Sequence, residues 1–401
     1  MSGCYWLVTN ISLALVSIYS IYMNARAICF LLFLLGIISC RPKSFSEHIT
    51  AAASAHDPAA SVAALLDTYS SSPVIEDAVV HIYYHGPKDD MAIAGDFNGW
   101  NPEAGGMTQV AGTSLWYWTD TFDLAGNLHY KFVSEGRDWF LDPRNPLKSS
   151  SDVDNSVIQM PEYQAETETA FLPNIPHGDI AEYSLYSEAL GADRKFKVYF
   201  PAGYNMLADD IPFVLVNDGY AYLEYGHMHH VLDKLINDKS IPPISAVFLP
   251  PVSRTAEYKD SLQQPFIRFV VDELYAWLTE QHNISDQQRS AAVFGSSYGG
   301  TISLALGAAA PDVFGKVGAF SAYVPADYIT QFAAAESQPF ELYLNHGTYD
   351  HLLPIEESIV AFRSVLDTKK FDYRYEEYPE AHHYEFWRAH LDDALLYLFA
   401  E

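Results

Sequence analysis

The stretch Val293-Phe294-Gly295-Ser296-Ser297-Tyr298-Gly299-Gly300 limits what this chain can fold into more than any other, because it reads as a strand, a sharp turn and a helix in eight residues. A turn of that kind holds Ser297 in a strained conformation with its hydroxyl exposed. Cβ atoms at 295 and 299 would collide with the neighbouring helix and strand, and glycine removes them. The helix that should follow is spelled by the small residues Thr301 to Ala310 and ended by Pro311. Gly295-x-Ser297-x-Gly299 is therefore read as a nucleophile elbow.

An elbow serine needs a base and a group that orients the base, here expected in the chain order Ser, acid, His. The run Glu341 to Gly347 reads as a buried strand, and Asp350 lies in the turn after it, where open α/β sheets gather their reactive groups. Asp350 is the expected acid, with Glu356 and Glu357 as alternatives. The next strand, Phe371 to Tyr378, leads into Pro379-Glu380-Ala381-His382-His383-Tyr384, and either histidine is placed to be the base. An oxyanion hole requires two N–H groups. One is expected on Tyr298, the other at Tyr220, with Gly219 allowing close backbone approach.

The continuous apolar runs Pro212 to Val216 and Ile244 to Leu249 suit strands buried on both faces, and the alternating Arg194 to Pro201 suits an exposed one. With helical patterns at His230–Ile236, Phe266–Leu278 and Leu391–Phe399 between and after them, residues 179–401 are expected to form a doubly wound, mostly parallel α/β sheet. Before it, short alternating segments beginning near Val79, Met91, Leu115 and His129, separated by turn residues, predict a small antiparallel β-sandwich over 73–149. Residues 150–178 read as a polar connector. Residues 40–72, rich in Ala and Ser, read as a tether with one short helix begun by Asp57-Pro58.

The 51 Asp and Glu against 23 Lys and Arg give a net charge of −28, which repels nucleic-acid phosphates and excludes them as partners. All three cysteines, Cys4, Cys29 and Cys40, lie in the apolar leader, so the body offers no thiol nucleophile and no Cys-based metal site. No cofactor or metal is expected. The set His227, His229 and His230 does not share one helical face and reads as solvated. Residues 1–39 read as a signal peptide, with Met23 as the start that best fits a charged n-region at Arg26 and the apolar run to Ser39, and with an uncleaved membrane anchor as the alternative.

Three resemblances add to this reading. Ile37-Ile38-Ser39-Cys40 resembles a bacterial lipobox, which implies lipidation of Cys40 and a place in the cell envelope. Gly95-Asp96-Phe97-Asn98-Gly99-Trp100, with Tyr130-Lys131-Phe132 and Leu141-Asp142-Pro143, resembles the immunoglobulin-like module of glycogen-branching-type enzymes, which is classed with carbohydrate-binding modules. There Phe97 and Trp100 would mostly fill the core, and Trp139 is an aromatic that could stack on sugars.

From Gly191 onward the chain resembles the esterase D-like α/β-hydrolases, which include enterochelin, feruloyl and acetylxylan esterases and mycolyltransferase-like proteins. The matching pieces are Leu215 to Gly219, Arg254 to Tyr258, Gly295 to Gly300 and His382 to Arg388. Aligning Trp387-Arg388 with the family's Gly-Gly-His-x-Trp-x-x-Trp-Arg favours His382 as the base, although Glu380-Ala381 replace the glycines and Tyr384 replaces the first Trp. The resemblance implies a serine esterase acting through an acyl-enzyme on a glycan-linked or siderophore ester. Arg254, Glu257, Tyr258 and Trp387 are then candidate substrate contacts, with an internal ion pair as the other reading of Arg254 and Glu257. Acyl transfer to a sugar and a non-catalytic glycan-binding lipoprotein are the alternatives.

Overall fold

The computed structural model describes residues 43–151, 153–164, 169–205, 210–282, 284, 285, 287 and 289–400. The signal-peptide and Cys40 readings lie outside them. Among the described residues no helix is long and apolar enough to cross a membrane.

Residues 43–68 belong, with Ala111–Thr113, to the smaller of two compact units. They form two helices packed on each other, α1 (Phe45–Ser54) and α2 (Pro58–Thr68), where a tether with one helix was expected. The Ala and Ser content suits a linker, but Phe45, Ile49 and Ala52 make a buried stripe on α1. Its start is a capping box: Ser44 Oγ accepts from Glu47 N–H at 3.3 Å and Glu47 Oε2 accepts from Ser44 N–H at 2.8 Å.

In the larger unit, eight strands build the sandwich: β1 (Val74–Glu76), β2 (Val79–His85), β3 (Met91–Gly95), β4 (Thr108–Gln109), β5 (Leu115–Thr121), β6 (Asn127–Ser134), β7 (Asp138–Phe140) and β8 (Ser156–Gln159). They pair antiparallel as β1-β2-β5-β4 and as β3-β6-β7, with β8 also on β6. Val80, Ile82, Ile93, Leu128, Tyr130 and Phe132 meet in the core. β8 falls where the connector was expected, so the sandwich continues through Gln159.

The second sheet has eight strands: β9 (Asp179–Ser187), β10 (Ala192–Phe200), β11 (Phe213–Asn217), β12 (Ser245–Leu249), β13 (Ala291–Ser296), β14 (Phe314–Phe320), β15 (Glu341–Gly347) and β16 (Tyr373–Tyr378). Their order is β16-β15-β14-β13-β11-β12-β10-β9. β10 runs antiparallel to both its neighbours, β9 and β12, and every other neighbouring pair is parallel, which is the α/β-hydrolase arrangement. Every residue of β11, β12 and β13 is buried, because helices cover both faces. Leu215, Val247 and Val293 pack against the helices at 263–282 and 298–309. Val214, Phe248 and Phe294 pack against those at 228–237 and 391–399.

Two strands of this sheet have no counterpart in the sequence reading. β9 is an edge strand with alternating exposure, and β14 is interrupted by Gly315, Lys316 and Gly318. The helix expected at Phe266–Leu278 runs as Gln263–Arg268, a π turn at Phe269–Leu274, and Tyr275–His282.

Candidate active site

Ser297 sits between β13 and the helix Tyr298–Ala309 with φ 55° and ψ −125°, a conformation that L-residues adopt only under constraint. Its N–H donates to Phe320 O at 2.8 Å, which ties the turn to β14. A Cβ on Gly295 would come within 2.6 Å of the Gly299 backbone, so the turn cannot close with any larger residue there. Tyr298 N–H occupies the first helical position, where no intrahelical acceptor exists.

The loop after β11 reaches the same place from the next strand. Asp218 is left-handed, with φ 54°, and Gly219 begins a short helix. A Cβ on Gly219 would lie 2.3 Å from the backbone of Phe248 and Leu249, so this close approach to β12 requires glycine. Tyr220 lies in the first turn of that helix and lines the same cleft as Ser297.

On the far side, His382 Nδ1 donates to Asp350 Oδ2 at 2.7 Å. That bond puts the proton on Nδ1 and leaves Nε2 with a lone pair. Burial alone would raise the Asp350 carboxyl. The hydrogen bond and charge of His382, with Leu352 N–H at 3.0 Å, hold it below its ordinary value. The His382 ring stands edge-on to Trp387 at 4.9 Å, and Trp387 Nε1 donates to Ser321 Oγ at 3.3 Å, which fixes that wall. His382, Trp387 and Ser297 line one cleft of about 880 Å³.

Arg254 also reaches the cleft, but its guanidinium is engaged. Nε and Nη2 donate to the two oxygens of Asp218 at 2.9 and 2.8 Å, and Nη2 lies 3.4 Å from Ser296 O. The expected contacts at Glu257 and Tyr258 are corrected: both side chains are buried and neither lines the cleft. Glu257 grips the buried Arg194 at 3.1 and 3.0 Å, and Tyr258 Oη accepts from Asp218 N–H at 2.8 Å. Both are supports of the loops around β11 and β12. The histidines at 227–230, expected to be solvated, are partly buried. His229 and His230 pack at 4.0 Å, His230 Nδ1 meets Thr169 O at 2.8 Å, and burial, then the neighbouring imidazoles, pull His229 down to about 4.

The sandwich supplies the rest of the cleft through Asp96, Trp100, His129, Lys131 and Trp139, none of which was expected to share a site with Ser297. Trp100 is partly exposed, not a core residue; it stacks on Trp139 at 6.5 Å and donates from Nε1 to Asp96 Oδ1 at 2.9 Å. Burial, with the charges of Asp350 and Glu385, raises Asp96 to about 7 against the pull of His129 N–H and Trp100. His383 stacks on His129 at 4.0 Å and 13°, and burial holds its ring well below the usual imidazole range.

The ligand atoms of Asp96, His129 and His383 lie within 4.8 Å of one another, close enough for a cation. The hydrogen bonding argues against one. Phe386 N–H donates to His383 Nδ1 at 3.1 Å, so the proton of the neutral ring is on Nε2 and the lone pair a metal needs there is gone.

Residues 187–398 match the family described as "Putative esterase". An uncharacterised Bacillus subtilis protein, YjcH, is 21% identical over 233 residues, covering 55% of this chain and 97% of its own. Among solved structures, the ferric enterobactin esterase of Salmonella typhimurium is similar with a TM-score of 0.68 and 17% identity, covering 84% of this chain and 98% of that one. The enterobactin esterase of Shigella flexneri, solved in the presence of enterobactin, is similar with a TM-score of 0.64 and 20% identity, covering 80% and 92%. Both likenesses cover more of the chain than residues 187–398 span, so the shared fold takes in antiparallel strands before the hydrolase sheet.

Proposed function

Because the chain belongs to the Esterase family, whose match takes in the elbow and both loops opposite it, we propose that Ser297, His382 and Asp350 carry out serine ester hydrolysis. His382 Nε2 takes the Ser297 proton as Oγ attacks the ester carbonyl, and Asp350 steadies the imidazolium that forms. The N–H groups of Tyr298 and Tyr220 stabilise the oxyanion, a contribution of about 3–4 kcal/mol when one such donor is lost. The alcohol leaves with the proton from His382, and water then releases the acyl group from Ser297 by the same path in reverse. One observation carries the reading: a backbone-strained serine shares a cleft with a histidine whose far nitrogen is 2.7 Å from a buried carboxylate.

For the substrate we propose an ester attached to a planar or sugar ring. Trp100 and Trp139 offer stacked faces in the cleft and Lys131 a cation beside them. A catechol-bearing siderophore ester and a feruloyl- or acetyl-glycan both meet that description. The likeness to enterobactin esterases along most of their length favours the first. The leader pattern supports a lipid-anchored protein of the bacterial envelope, tested by palmitate labelling of Cys40 in the native chain and in Cys40→Ser.

The decisive experiment assays p-nitrophenyl acetate, methyl ferulate and a catechol-type siderophore ester with one purified sample and with Ser297→Ala. The reading expects at least one ester to be cleaved and the variant to lose about a thousandfold or more with its fold intact. A variant that turns over at the native rate ends it. Acyl-enzyme discharged to a sugar and not to water would make the protein a transferase.

A further inference from the structure

The loops bearing Asp350 and His382 are each gripped by the sandwich through the residue next in sequence. Before Asp350, the ring of Tyr349 packs into the sandwich core, with its centroid 6.0 Å from that of Phe122 at 73°, and its hydroxyl accepts from Asp123 N–H at 3.4 Å. After His382, the His383 ring lies flat on His129 at 4.0 Å, and Asn127 N–H donates to Pro379 O at 3.4 Å. The following turn is held as well, since Ser150 N–H donates to Glu385 Oε1 at 2.5 Å.

These contacts matter because of where the loops begin. β16 is the edge strand of the hydrolase sheet and none of its residues is buried, so on one side nothing in that sheet restrains the loop that follows. Thr348 and Tyr349 N–H donate to Tyr378 O and Glu380 O at 2.8 and 3.0 Å, which ties the two loops to each other, and His390 Nε2 holds Glu380 Oε1 at 2.9 Å from below. The sandwich is the wall on the side that the sheet leaves open.

We propose that the sandwich is a positioning part of the catalytic apparatus: Phe122 and His129 hold Asp350 and His382 at hydrogen-bonding separation by fixing Tyr349 and His383. This rests on the triad reading above. A displacement of about 1 Å at a reacting group can cost around a hundredfold in rate. Phe122 and Tyr349 stand outside the cleft, and His129, at its wall, is buried and stacked on His383, so with a small acetyl ester their effect falls on kcat and on the grip of Asp350 on the imidazole more than on KM.

The test uses the full chain with His129→Ala, His129→Phe and Phe122→Leu, assayed on p-nitrophenyl acetate, which is too small to need the tryptophan faces. Active sites are counted by fluorophosphonate labelling of Ser297, so loss of folded protein is divided out. His129→Ala and Phe122→Leu are expected to lower kcat per labelled site about 10- to 100-fold, with KM within about threefold. The acid limb of the kcat/KM profile should move to lower pH as Asp350 loses its hold on His382. His129→Phe, which keeps a flat ring on His383, should recover most of the loss. A merely structural role would lower the melting temperature and the number of labelled sites but leave kcat per site and the pH limb unchanged, and that result in both His129→Ala and Phe122→Leu overturns the proposal. Should His129→Ala fail to fold, Phe122→Leu alone decides. Ser297→Ala separates the two readings: native activity there defeats the triad itself, whereas an inactive Ser297→Ala beside fully active sandwich variants defeats only the positioning role.

Discussion

His382 Nδ1 and Asp350 Oδ2 stand 2.7 Å apart although 32 residues separate them in the chain, and the carboxylate is shielded from water while the ring edge is not. The arrangement holds one tautomer and presents Nε2 to the cleft. Asp350→Asn preserves the shape but allows the amide to donate to Nδ1, which puts the ring proton on Nε2, the atom that must accept from Ser297. kcat should fall about 10⁴-fold with little change in KM or in circular dichroism. A loss of less than about tenfold would move the acid to another residue, with Glu356 and Glu357 next to be tested.

The acid and base loops also touch through their backbones at Gly347. A Cβ there would lie 2.3 Å from Glu380 O and 2.8 Å from Glu380 C, and neither is the end of a flexible side chain. Gly347→Ala must therefore push the His382 loop away from the end of β15. The expected result is a kcat lowered at least about tenfold, with a stability loss of about 1–3 kcal/mol from overpacking. Stopped-assay kinetics beside urea unfolding measure both, and a variant with native kcat would show that the loops need not keep this spacing.

The parts of the fold legible in the sequence were those whose cause is local. Gly295-x-Ser297-x-Gly299 spells its own turn, and the all-apolar runs of β11 and β12 announce burial on both faces. β14 escaped because Gly315, Lys316 and Gly318 break the apolar pattern that its neighbours supply in space. The site was legible only on the hydrolase side. Asp96, Trp100, His129 and Lys131 join it through contacts between distant segments, such as Asp123 with Tyr349, 226 residues on. Nothing in a linear pattern marks those pairings. Glu257 shows the converse error: its motif lies at a strand's end on the site side, but Arg194, 63 residues earlier, turns it inward.

That ion pair makes a prediction of its own. Arg194 and Glu257 are almost fully buried, and Glu257 also accepts from Val252 and Ser253 N–H at 3.2 Å each. Glu257→Ala leaves the guanidinium uncompensated in the interior, which typically costs about 3–5 kcal/mol. The urea midpoint should drop accordingly, while kcat per labelled site and KM stay within a few-fold. A raised KM without loss of stability would return Glu257 to the substrate contacts.

The base loop is pinned from below by a protonated histidine, and this sets an alkaline limit. His390 Nε2 meets Glu380 Oε1 at 2.9 Å, Nδ1 lies 3.5 Å from Asp393 Oδ2, and the ring stacks on Tyr378 at 3.4 Å. Burial alone would lower its pKa, but the bonds to Asp393 and Glu380 outweigh it and push His390 up to about 9 from 6.5. Because the folded value lies above the unfolded one, the stabilisation is complete below about pH 6.5 and is lost as the pH rises through about 9. The rise from 6.5 to about 9 corresponds to roughly 3 kcal/mol. Urea unfolding at pH 6, 7.5 and 9.5 should show the native chain losing about that much across the window, and His390→Gln losing almost none of it. Since Glu380 stands two residues before His382, kcat of the native chain should fall over the same alkaline range, and the variant should enter the series already low. Parallel pH slopes in the two proteins would mean that His390 carries no extra proton in the fold and that the loop is held by other means.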